Sequence, residues 1–185
     1  MTRNPPTTTD QLSAQDWLRL GVKTLAAQGF TALKADPLAK AMGVSRGSFY
    51  WHFADIGAYR AAILKYWREI ATDEIIADIE ADAGNGDPLA RLLRRAFSTR
   101  PGLENAVRTW ATMDDSARAA VQAIDQRRTD YIGHMLTQAG LPDDVARARA
   151  QILYWTFLGF ALSEKPLAKA RQQAILDELL LIARR

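Results

Sequence analysis

Apolar residues recur along most of this chain with the 3.6-residue period of a helix, and no stretch alternates as a half-buried strand would. Ala14, Trp17, Leu18, Gly21, Val22 and Leu25 form one stripe, which predicts a first helix over 10–28 closed by Gly29. Phe30, Leu33, Leu38, Met42, Val44 and Phe49 complete a small core against it. A short second helix over 36–42 has Pro37 near its start and Gly43 just past its end. A third starts at Ser45, a good N-cap, and carries Phe49 and Phe53 four apart on one face. Asp55 then caps a long connector reaching about residue 83, with Tyr59, Ile63, Trp67 (or Tyr66), Ile70 and Ile76 on its buried side.

After the Gly/Asn/Pro break at 83–88, five more helices are predicted. They cover 88–97, 103–113 with Val107 and Trp110 inward, 114–138, 143–163, and a last one opened by Pro166. The expected fold is all-α. A three-helix head over 1–53, whose first nine residues form an unstructured Pro/Thr-rich arm with Arg3 available to DNA, is joined by the connector to a helical bundle within 54–185.

The third helix has an unusual exposed side: Ser45, Arg46, Gly47 and Ser48, followed by Tyr50, Trp51 and His52. Two short helices around a glycine turn, the second with polar tips, make a helix-turn-helix, whose second helix enters the major groove of DNA. Ser45 and Ser48 can donate to phosphate or base edges, and Gly47 keeps the helix surface low. Arg46 has the fork that fits guanine O6 and N7, or alternatively holds a phosphate.

The run from Ala39 to Phe53, AKAMGVSRGSFYWHF, resembles the DNA-binding signature of TetR-family transcriptional regulators, and the similarity is strong from about residue 11 to 63. The resemblance implies an all-helical homodimer that binds a palindromic operator as a repressor and releases it when a small molecule occupies the C-terminal domain. By the matching positions it implies that Tyr50 and His52 hold phosphate. Trp51 packs on sugar or a thymine methyl, or shields the turn. Lys34 stands where the family often has a capping Ser or Thr; it cannot cap, but it can neutralise phosphate. Ile56 replaces a lysine that many relatives use on phosphate, and Gly57 loosens that turn by about 1 kcal/mol relative to alanine.

Charge placement agrees. Residues 1–53 carry six basic and three acidic side chains, while the remaining 132 carry 18 of each, so the net +3 belongs to the head. With no cysteine, disulfides and thiolate chemistry are excluded. Residues 152–162 are too short an apolar run to span a bilayer, which needs about 20 residues, and the start of the chain has no signal-peptide pattern, so a cytoplasmic protein without membrane contact is expected.

That apolar run is hydrophobic all round. One face (Leu153, Tyr154, Phe157, Leu158, Ala161) can pack inward; the other (Ile152, Trp155, Thr156, Gly159, Leu162) needs a cover, which a second copy would supply. A central helix in a monomer would share the pattern. Ile124, Arg128, Tyr131 and Met135 on the preceding helix are expected beside it in a four-helix interface. For an effector pocket the candidates are Trp67, Phe97, Trp110, Met113, Tyr131, Met135, Tyr154 and Phe157, each of which alone is more often plain core, with Arg108, Arg128 and His134 as polar anchors that could equally face solvent or form ion pairs. A helical enzyme or a protein-only adaptor is the alternative. Two distant histidines, no di-iron Glu-x-x-His pair and no phosphate loop argue against catalysis, and no cofactor or metal is expected.

Overall fold

The computed structural model describes residues 12–82, 84, 86–98, 102–163 and 167–184. Among these the chain is all helical, with α1 (Ala14–Gln28), α2 (Ala35–Ala41), α3 (Arg46–His52), α4 (Ile56–Arg68), α5 (Glu74–Ala81), α6 (Pro88–Ser98), α7 (Gly102–Ala111), α8 (Asp115–Gln138), α9 (Asp143–Ala161) and α10 (Lys169–Arg184). The first helix starts four residues later than its apolar stripe suggested, because Ser13 and Asp16 close a capping box there. The Ser13 amide donates to the Asp16 carboxylate at 2.9 Å. The Ser13 hydroxyl accepts from the Asp16 amide at 3.3 Å. The arm over 1–9 and Pro166 lie outside the described residues, and α10 begins at Lys169.

The head is built on an aromatic cluster. Trp17 meets the edge of Phe49 at 5.4 Å, and Phe49 and Phe53 both pack on Tyr59 of α4, at 5.1 and 4.8 Å between ring centres. Tyr59 also donates a buried 2.8 Å hydrogen bond to the Trp17 carbonyl. Gly21 makes this crossing possible: a Cβ there would overlap the Tyr59 hydroxyl and the end of Ile63. The core then runs on without a seam from the head into Trp67, Val107, Trp110 and Ile124 of α4, α7 and α8. A second core, in the rear, joins Ile79, Leu93, Phe97, Leu136, Leu153 and Leu179.

The connector is not one regular α-helix. Asp55 caps it as expected, accepting from the Ala58 amide at 2.7 Å. Between α4 and α5, however, the five residues Glu69–Asp73 form a π-helical turn, which widens the helix and interrupts its ladder. The sequence periodicity gives no sign of it, since an apolar stripe survives one inserted residue.

Candidate DNA interface and ligand cavity

The reading helix forms because the chain turns sharply before it. Gly43 sits at φ +68°, a conformation that costs a glycine little, and the turn closes with the Val44 amide donating to the Ala39 carbonyl at 3.0 Å. Ser45 takes the extended N-cap backbone, but its side chain caps nothing, which leaves the hydroxyl facing outward beside an open helix start. Phe49 and Phe53 are buried and hold α3 to the head. Lys34, Ser45, Arg46, Gly47, Tyr50 and Trp51 are exposed, and Ser48 and His52 are half-buried. Trp51 is 78% exposed, an unusual exposure for so large an apolar ring, so it does not shield the turn.

Arg46 is not idle in the absence of DNA. It lies 3.2 Å from the Asp36 carboxylate of α2 and donates at 3.0 Å to the Tyr50 hydroxyl. The hydrogen bond to Tyr50, then the Asp36 charge, hold its guanidinium even more firmly protonated than a free arginine. The pairing also orients the fork across the α2–α3 face.

A cavity of about 420 Å³ lies where the two cores meet, between the connector and α6 to α9. Of the residues expected to line it, Trp67, Tyr154 and Phe157 do so. The other five are placed elsewhere. Phe97 turns into the rear core against Phe160, 4.8 Å away. Trp110 lies flat on Phe30 at 5.7 Å and fills the joint between head and bundle. Met113 is 65% exposed. Met135 is buried and Tyr131 half-buried at the rear cluster, because α8 presents Ile132 to the cavity instead.

The cavity has a charged wall that only its cationic half anticipated. Glu104, 7% exposed, accepts from Arg108 Nε at 2.8 Å and from both Nη groups of Arg128 at 3.1 Å. Arg128 spends its remaining donors on the π-helical turn, with Nε to Thr72 Oγ1 and Nη2 to the Ala71 carbonyl, both at 3.0 Å. Its planar head lies over Phe157 and Trp67, at 5.5 and 6.0 Å from the ring centres. Arg108 continues the network to Asp125 at 2.5 and 3.2 Å and to the Tyr154 hydroxyl at 2.8 Å. Burial opposes the Arg108 charge, but the Asp125 hydrogen bonds and the Glu104 carboxylate outweigh it and hold the group protonated. Burial pushes the Tyr154 hydroxyl above the usual phenol range, so it stays neutral and donates to Asp125 at 2.5 Å. His134, the third proposed anchor, is exposed on the outer side of α8.

On α9, Ile152, Trp155, Gly159 and Leu162 face solvent, Trp155 at 63% exposure, while Thr156 is half-buried and turns its hydroxyl back to the Ile152 carbonyl at 2.9 Å. The expected neighbours on α8 do not join this face. Ile124 and Met135 are buried and Arg128 is committed to Glu104, because the packing of α8 against α9 turns that stripe inward. Leu181 and Ile182 of α10 are also exposed. Among the described residues no helix is long and apolar enough to cross a membrane, and no group of three metal-ligating side chains is present.

Among the described residues the chain thus combines a helix-turn-helix head with a separate cavity in its helical bundle. Residues 18–58, which include the helix-turn-helix, match the family described as bacterial regulatory proteins, tetR family. Solved structures share the fold over nearly the whole length. A TetR-family transcriptional regulator of Rhodococcus sp. aligns with TM-score 0.68 at 18% identity, covering 93% of this chain and 98% of that one. A transcriptional regulator of Saccharomonospora viridis, solved with choline, aligns with TM-score 0.67 at 15% identity, covering 91% and 95%. The multidrug binding protein EbrR, solved with imidazole, aligns with TM-score 0.55 at 21% identity, covering 89% and 88%. No curated protein matches the sequence.

Proposed function

We propose that this regulator acts as a homodimeric repressor that binds a two-fold symmetric operator through paired α3 helices and lets go when a small molecule fills the cavity. The observation that carries the DNA half is α3 itself, short, rigidly seated by Phe49 and Phe53, with Arg46, Tyr50 and Trp51 turned outward. Lys34, Ser45, Gly47, Ser48 and His52 complete the contact surface, Lys34, Tyr50 and His52 on phosphate. The dimer half rests on the exposed apolar residues at the outer face of α9, Ile152, Trp155 and Leu162, which a second copy of the chain would cover. The ligand half rests on the cavity, and the neighbours solved with choline and imidazole are binders of small molecules by their own descriptions.

Two reading heads related by a two-fold axis face successive major grooves, so the site should be a palindrome with half-sites about 34–36 Å apart. Selection of the purified protein on random duplexes, followed by footprinting, tests this. Enrichment of an inverted repeat supports the reading; retention of all duplexes alike, or of none, ends it.

A further inference from the structure

We infer that the cavity selects electrically neutral, ring-bearing molecules and rejects both anions and cations, because its charged wall is already a closed, balanced set. This rests on the cavity being a ligand site, as proposed above. Among the described residues, three ionised side chains line it: Glu104, Arg128 and Arg95. Each has its opposite. Arg95 sits 3.3 Å from Asp78. Glu104 is bound by Arg128 and Arg108, and Arg108 by Asp125, so two positive and two negative groups cancel within one contact chain.

An arriving carboxylate would have to draw Arg128 away from Glu104, which would keep only Arg108 on a nearly buried charge. An arriving ammonium finds the aromatic faces taken, since the Arg128 guanidinium already lies over Phe157 and Trp67, and it would be repelled by that guanidinium. What is left is the apolar wall of Ile70, Ile75, Leu92 and Leu153, with the Thr72 hydroxyl proton as a neutral donor and the remaining lone pair of the Tyr154 hydroxyl, whose proton goes to Asp125, as an acceptor. Wall and hydroxyls together suit an uncharged ring with a single hydroxyl or carbonyl.

Three naphthalene probes of similar size and different charge test this by titration calorimetry at pH 7: 1-naphthylmethanol, 1-naphthylmethylammonium and 1-naphthoate. The alcohol is expected to bind at least tenfold more tightly than either ion. In Glu104→Gln, where the wall carries a surplus positive charge, the ratio should move at least tenfold towards the naphthoate. Arg128→Gln should move it towards the ammonium instead. Circular dichroism establishes that each variant is folded, and if one is not, the wild-type series decides alone. An ion that binds wild type within threefold of the alcohol overturns the inference while leaving the cavity a ligand site. Unmoved ratios in folded variants overturn it likewise. No binding of any probe at millimolar concentration removes the ligand site itself, and the inference with it.

Discussion

Removing the Glu104 carboxylate should be among the most damaging single changes in the bundle. In Glu104→Ala, Arg128 keeps only two neutral acceptors, Thr72 and the Ala71 carbonyl, and its charge stays 13% exposed with no carboxylate in contact. Arg108 retains Asp125 and suffers less. Breaking a buried pair from one side typically costs about 3–5 kcal/mol, a large part of a domain stability of about 5–15 kcal/mol. The double variant Glu104→Ala/Arg128→Met tests whether charge is the cause. It deletes one group of each sign, leaves the Arg108–Asp125 pair intact, and keeps an apolar stem where the arginine packed on Phe157. It should therefore be more stable than Glu104→Ala alone. Urea unfolding followed by circular dichroism, at one fixed protein concentration, measures all three chains. A loss below about 1 kcal/mol in the single variant, or a double variant less stable than the single, would refute the argument from unpaired charge.

Three further outcomes are expected. Gly159→Arg should turn a dimer into monomer in sedimentation, and because an added Cβ there meets nothing within 4 Å of its own chain, a lowered monomer melting temperature would instead point to an internal role. Arg46→Ala should cost about 1–3 kcal/mol of operator affinity and relax choice at one base per half-site; equal losses on specific and random duplexes would assign Arg46 to phosphate. The Ser13 hydroxyl and amide hold the Asp16 carboxyl below its ordinary value, so this group contributes stability in full above the usual carboxylate range and loses it as pH falls through its folded value. Asp16→Asn should accordingly lower the melting temperature at pH 7, with the gap closing in acid, and a gap that widens on acidification would contradict the linkage.

The head was legible in the sequence because its signals are local. Gly43, the Ser45 start and the Phe49–Phe53 pair lie within eleven residues, and α3 formed between them. The cavity was legible only in part, because which helix face lines a void depends on how neighbouring helices are rotated, which no local period encodes. Trp110 and Phe97 are aromatic and inward, as their spacing requires, yet each is taken up by another ring. Arg108 and Arg128 stood out as candidate polar anchors; Glu104, which joins them, was not picked out. Its signal was present all the same: Glu104, Val107, Arg108 and Ala111 share one helix face, and an acid four residues before an arginine on an apolar face marks a pair headed for burial.

The fit of Tyr59 and Ile63 around Gly21 ties the start of α4 to the head. Behind that crossing the same core continues through Trp67 into α7 and α8, so α4 is held along its length, and the connector loses its regular ladder only where the π-helical turn at Glu69–Asp73 begins. Arg128, bonded at once to Ala71, Thr72 and Glu104, fastens that irregular turn to the cavity wall, so whatever fills the cavity touches the same side chain that holds the turn in place.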